Sequence, residues 1–322
     1  MVLEFTVPVY LINFYHIIGG ISLFLNLATI FLVIFKSSKI DNFWFYLLGF
    51  QVLCTITDFH LTFLMQPCPL YPILAGFCKG FLADYLWSHY IMAIIIALMI
   101  AQMECLALCF LRKHQTIGKI MNRHVISRKL ELFFTFIASL VPALFFWGFY
   151  KAGMDRDKQM EFIEKKYPQY LSSFASLQNF AIYDPNLWFL FLALSALSGG
   201  SGAGFIFIFT TVDMLRMLKE AQRKVSATSY QRHRSAVKSL MAQFATSSLL
   251  LVPCILFVIV VILEFRYAQG TVQLLLALFA LHSSVNSMVL VATTPPFRNF
   301  LLRRSIKPTQ TIKVSHSRNS FH

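Results

Sequence analysis

Charge is what this sequence has least of. Asp, Glu, Lys and Arg make up 13% of its 322 residues and hydrophobic residues 57%, where a soluble domain carries about 25% charged residues. Mean hydropathy is +0.64. Both values argue against a soluble fold. Acid is scarcer than base: 14 Asp+Glu against 28 Lys+Arg leave a net charge of +14. In a soluble protein such an excess points to nucleic acid. Here it sits between apolar runs, where anionic lipid explains it, and no nucleic-acid partner is expected. The start, MVLEFTVPVY, has no Lys or Arg. A signal peptide needs a basic n-region, so none is expected and the first apolar run serves as its own insertion signal. No Asn-x-Ser/Thr acceptor occurs, so N-glycosylation is not expected. The nine His include no His-x-x-x-His or Glu-x-x-His pair, and there is no Gly-x-Ser-x-Gly and no phosphate loop. No metal, cofactor or enzymatic activity is expected.

What the chain does have is seven apolar runs. They lie at about 11–35, 43–65, 85–111, 131–150, 187–212, 239–263 and 271–292. About 20 apolar residues as helix cross about 30 Å of hydrocarbon. Lipid offers no partner to unpaired backbone groups, so such runs must be helical. The predicted fold is an all-α integral membrane protein, a seven-transmembrane helix bundle. One domain is expected over 1–307, including a short amphipathic helix after the last span. Residues 308–322, Ser/Thr-rich and acid-free, are expected to be a disordered tail.

The basic residues alternate between the two sides. The first, third, fifth and seventh hydrophilic stretches hold 0, 1, 5 and 1 Lys+Arg, and the others 2, 6, 7 and 6. Cytoplasmic loops are enriched in Lys and Arg. The amino terminus is therefore expected outside and the carboxyl terminus inside. The stretch Lys151–Pro185 carries five basic and five acidic residues and is long enough to lie as a lid over an outward cavity.

Three segments carry a family likeness: FYLLGFQVLCTITDFHLTFLMQPCPLYPILAGFCKGFLADY, then CFLRKHQ after span three and TTPPFRNF after span seven. With the span order, they resemble the nematode serpentine chemoreceptors of the Str superfamily, class I more closely than class H. The resemblance implies a G-protein-coupled olfactory-type receptor in the plasma membrane, on the cilium of a sensory neuron. Its partners would be a heterotrimeric G protein, a small lipophilic or volatile odorant and the bilayer, with a receptor dimer left open. Leu111-Arg112-Lys113-His114 and Pro295-Pro296-Phe297-Arg298 replace the signatures that end spans three and seven of rhodopsin-like receptors. That mechanism therefore does not transfer residue by residue. Two alternatives have seven-span or multi-span architectures: an odorant-gated cation channel, with its amino terminus inside, and a small-molecule transporter, which usually shows repeats.

Ionisable residues inside spans are functional candidates. His16, Asp58 and His89, with Trp87 near the outer interface, are the candidates for a ligand cavity. Arg112, Lys113, His114, Arg216, Arg223, Lys224, Arg234 and Arg298 form the face expected to meet the G protein. The positive-inside rule alone also accounts for these charges. Glu104 lies about two turns from the inner end of span three and is expected to pair with an inner Arg such as Arg298, restraining the inactive state. Pro253 should kink span six, and Pro296 sits at the exit of span seven; both belong to the expected switch. Cys68 and Cys78 share an outer loop, where a local disulfide is chemically allowed. Gly200 and Gly204 have the small-xxx-small spacing that lets helices approach.

Overall fold

A computed structural model describes residues 3–37, 43–184, 186–247 and 268–302. In chain order the helices are α1 (Val9–Lys36), α2 (Phe43–Phe59), α3 (Ser88–Met121), α4 (Arg128–Lys151), α5 (Arg156–Lys166), α6 (Leu171–Ala175), α7 (Leu187–Ala221), α8 (Ala227–Ser247), α9 (Ala268–Thr293) and α10 (Pro295–Leu301). The wider π-type turn His60–Met65 continues α2. Among the described residues, six helices are long and apolar enough to span a membrane: α1, α2 with its extension, α3, α4, α7 and α9. The first part of the sixth predicted run lies in α8. The rest of that run, with Pro253, lies outside the described residues, as does the predicted tail.

Each helix buries the stripe its sequence dictates. In α1 the buried positions are Leu11, Tyr15, Gly19, Ser22, Asn26, Thr29, Leu32 and Val33. They recur every three or four residues, the period of one helix face. The opposite face, with Ile17, Ile21, Phe24 and Phe31, is exposed and suits lipid. α3 is central and touches α2, α4, α7 and α8, while α1 packs against α2 and α9. α4 is peripheral and buries only Gly148.

Short strands close one end of the bundle. β1 (Pro67–Pro69), β2 (Ala75–Cys78) and β3 (Phe180–Ile182) form an antiparallel sheet in that order. The stretch before α7 thus adds a strand to the loop after α2. Leu3, Cys68 and Phe77 share an apolar cluster with Ile163 of α5, Phe174 of α6 and Phe180. The end carrying this sheet is the cap end, and the opposite one the basic end.

The sheet register separates the two loop cysteines. Cys68 is opposite Phe77, and Cys78 is opposite Pro67. Side chains alternate faces along a strand, so the two thiols leave the ribbon on opposite sides. Cys68 joins the cap cluster, whereas Cys78 joins one with Tyr15, Leu61 and Ile91 in the bundle. Both are free thiols, so the bridge that the sequence allows is not formed. Burial pushes each of them up to about 12.

Two glycines set close approaches. A Cβ at Gly19 would lie 2.6 Å from Thr62 Oγ1 and 2.8 Å from Phe63, and one at Gly80 would lie 2.4 Å from the Leu64 carbonyl carbon. Three glycines of α7 behave otherwise. A Cβ at Gly199, Gly202 or Gly204 meets nothing within 4 Å among the described residues, so no described helix is seated at Gly204.

Candidate functional site

The bundle carries three polar or concave features along its length. At the cap end, a groove of about 680 Å³ runs between α1 and the extension of α2, within the range of small-molecule sites. Ile12 and His16 of α1 line one wall, Phe59 and Phe63 the other, and Gln66 and Lys79 lie at its head. Gln66 adopts a left-handed conformation (φ 45°) that ends the helix. Its amide donates 2.8 Å to the Thr62 carbonyl and lies 3.3 Å from His16 Nε2. Two hydrogens on one nitrogen serve both contacts, so His16 Nε2 accepts.

The other cap-end candidates do not converge on this groove. Asp58 is 6% exposed; its carboxyl lies against the Ser22 hydroxyl, deeper in the bundle. Trp87 is 50% exposed and stacks on Tyr90 at 5.8 Å, the placement of an interfacial aromatic. His89 is buried with both nitrogens engaged. Nε2 lies 3.1 Å from the Tyr150 carbonyl and Nδ1 3.1 Å from the Tyr183 hydroxyl. A carbonyl can only accept, so Nε2 carries the proton and Nδ1 accepts from Tyr183. With no lone pair or proton to spare, His89 ties α3 to α4 and the cap and does not face a ligand. Burial also raises the Tyr183 phenol well above its ordinary range, which keeps it a donor.

In mid-bundle, a polar core joins α1, α2 and α9. Gln51 Nε2 donates 2.8 Å to Asn26 Oδ1 and 2.7 Å to Ser287 Oγ. Asn26 Nδ2 donates 2.7 Å to Ser283 Oγ. Thr246 of α8 reaches Asn286 of α9 at 3.2 Å. Polar side chains in hydrocarbon must find such partners, and the bonds fix helix register. Among the described residues no ion pair involves Asp58 or Glu104. The expected pairing of Glu104 with Arg298 or another inner Arg is therefore not formed among the described residues: Arg112 goes to Glu131 and Arg123 to Glu220 instead.

At the basic end, α3 is tied to its neighbours by other residues. Arg112 pairs with Glu131 of α4 at 2.9 Å. Asp213 of α7 takes two histidines on one oxygen, His114 Nε2 at 2.8 Å and His124 Nδ1 at 3.0 Å. Their rings are parallel within 5°. Gln115 sets the tautomer. Its Oε1 accepts from Ile126 N–H at 2.7 Å, so its amide nitrogen faces His124 O at 3.1 Å and His114 Nδ1 at 3.2 Å. His114 Nδ1 must then accept, and Nε2 must donate to Asp213. Two histidines and a carboxylate with donor atoms within 4.8 Å of one another resemble a metal centre. The tautomer argues against that use: a cation on Nε2 would force the proton onto Nδ1, against the Gln115 amide. The trio is a hydrogen-bonded latch between α3, the turn after it and α7.

This end is packed shut. Leu106, Phe110 and Ile117 of α3 share a cluster with Met214, Met217 and Leu218 of α7 and Val237 and Leu240 of α8. Lys113, expected on the exposed G-protein-facing surface, is 1% exposed, with its ammonium 4.9 Å from the Phe43 ring. His114 is 8% exposed. The helix phase turns both inward, so neither belongs to the exposed basic face. Arg216, Arg223, Lys224, Arg234 and Arg298 are exposed; Arg112 is half-buried against Glu131. Pro296 is exposed in the first turn of α10, beside buried Phe297.

Several of these residues had a sequence signal that hydropathy does not weigh. Ser22 and Asn26 are four apart, as are Ser283 and Ser287, which puts polar pairs on one face of apolar helices. Asp213 is an acid beside the basic run that begins at Arg216. His124 gave no signal, because its left-handed backbone (φ 53°) comes from the turn.

No individually curated protein matches the chain. The family model described as "serpentine type 7TM GPCR chemoreceptor Sri" matches residues 1–301. It describes a chemoreceptor family, not an enzyme family, and agrees with the apolar helices of a multi-pass membrane protein. The chain belongs to the Sri family of serpentine seven-transmembrane chemoreceptors.

Proposed function

We propose that this chemoreceptor detects a small lipophilic molecule at its cap end and signals through a heterotrimeric G protein at its basic end. The observation that carries the reading is the sorting of charge along one bundle. Exposed Arg216, Arg223, Lys224, Arg234 and Arg298 gather at the end where α3, α7 and α8 are packed shut. The 680 Å³ groove lies at the other end. A partner helix needs the shut end opened, and ligand shifts that equilibrium only by its differential affinity for the two states. The latch at Asp213 belongs to the closed state. The exposed basic face suits the acidic and polar surface of a signalling partner. Its proposed site of action is the plasma membrane, at the cilium of a sensory neuron.

The test is expression in cells with a fluorescent signalling reporter, with and without the endogenous G-protein α subunits. A ligand-evoked signal abolished by their removal supports the proposal. An evoked current that survives removal replaces it with the channel reading.

A further inference from the structure

We propose that the groove between α1 and the extension of α2 holds a single-chain amphiphile with an anionic head, which enters from the bilayer. The proposal names a ligand class for the receptor reading above and rests on that reading only for its signalling consequence.

Three observations carry it. The first is access. Among the described residues the cap covers the water-facing end near α1, α2 and α9. Gln269 of α9 donates 2.7 Å to the Glu4 carbonyl and 3.1 Å to the Pro69 carbonyl, and its oxygen accepts from Glu4 N–H at 3.1 Å. Tyr71 packs on Ala268 and Val272. The groove opens sideways instead. Phe59 is 40% exposed and Phe81 63%, on faces that suit lipid. An apolar molecule dissolved in the bilayer meets this opening without crossing the cap.

The second is shape. From Phe59 to Gln66 the wall is the wider π-type turn His60–Met65 with one residue at each end. The Phe59 and Phe63 rings lie 5.3 Å apart along it. The contact of Gly19 with Thr62 and Phe63 joins α1 to α2 beside this wall. The lining takes one hydrocarbon chain along the two phenyl rings.

The third is charge. Lys79 stands at the head of the groove, and no acidic side chain lines it. Lys79 is exposed and has no acidic partner among the described residues. The His16–Gln66 pair supplies polar groups beside it. An ammonium with no counter-ion above an apolar channel complements a carboxylate on an alkyl chain. The head then sits at the depth of the helix end, and the tail lies in the groove along Phe63 and Phe59, outside the close α1–α2 contact at Gly19.

The experiment uses the full chain in nanodiscs of phosphatidylcholine. The probe is a C16 fatty acid with a photoactivatable diazirine, and the adducts are mapped by mass spectrometry. The proposal expects saturable labelling within 12–16 and 59–66, competed by unlabelled palmitate. Charge reversal in Lys79→Glu should cut it about tenfold, which corresponds to about 1.4 kcal/mol. Lys79→Gln should give a smaller loss, and Lys158→Glu, an exposed change on the cap, none. Labelling spread evenly over the lipid-facing sides of α4 and α7, unchanged in Lys79→Glu, or equal with the corresponding C16 alcohol, would overturn the proposal. Site-specific labelling without any evoked signal would leave the site standing and count against the receptor reading alone.

Discussion

Removing the charge of Asp213 should open the basic end. Its carboxylate accepts from His114 at 2.8 Å and from His124 at 3.0 Å. A hydrogen bond to a charged group contributes about 1.5–3 kcal/mol, against about 1 kcal/mol for a neutral one. Asp213 and His114 are 15% and 10% exposed at the side chain, so that bond keeps most of its strength. His124 is 54% exposed, and its share is discounted for solvent screening. Asn at this position still offers one neutral acceptor to His114. The net loss is then about 1–2 kcal/mol, which shifts the closed-to-open equilibrium by roughly 5- to 30-fold. Basal reporter signal, normalised to receptor at the cell surface, should rise in Asp213→Asn by up to that factor. Glu220→Gln serves as the control, because its pair with Arg123 is about half-exposed on both sides at 3.3 Å and such pairs contribute little. The reasoning fails if Asp213→Asn reaches the surface normally and its basal signal stays within about twofold of the parent, an energy under about 0.5 kcal/mol. It fails equally if Glu220→Gln raises the signal as much.

Other residues give further outcomes. Burial raises the Cys68 and Cys78 thiols from the ordinary 9.0 to about 12, so at pH 8 only about one thiol in ten thousand is ionised. Iodoacetamide should label them only after unfolding, and rapid labelling of the native receptor would contradict their placement. A raised acid favours its protonated, folded form. The stability these thiols contribute is therefore complete below pH 9 and declines as pH rises from 9 towards 12, which thermal unfolding against pH would follow. Gly80→Ala places a Cβ on the Leu64 carbonyl and should lower surface level and melting temperature. Gly202→Ala has open space and should hold or raise stability by about 0.4–1 kcal/mol; equal losses would refute the distinction. Reversing Arg216, Arg223 and Arg234 to Glu together should abolish the evoked signal while surface level is kept, and a full signal would remove the basic face from coupling.

The spans were legible because the bilayer enforces them: an uncharged run such as Leu11–Phe35 has only the helix available. The cap was not. Its strands are three or four residues long and include Pro67 and Pro69, too short for any alternation to show. Lys151–Pro185 was legible as a long connection, but its strand pairs with a loop more than 100 residues earlier, and no local pattern records that. Charge counts read Lys113 and His114 as surface; helix phase buries them, because Phe43 and Asp213 come from other helices. Glu104 was legible as an acid within a span, yet its lack of an ion-pair partner among the described residues is a fact of the tertiary arrangement. His16 was legible as a cap-end polar residue, whereas its neighbours Gln66 and Lys79 enter through the turn that ends α2.

Sidedness tests the account's central claim most directly. One epitope is placed before Leu3 and another in the turn between α7 and α8, near Ser226, and intact and permeabilised cells are stained in parallel. The account predicts that the amino-terminal epitope is stained on intact cells and the Ser226 epitope only after permeabilisation. The reverse pattern would put the exposed arginines outside, contradict coupling at the basic end and favour the channel reading.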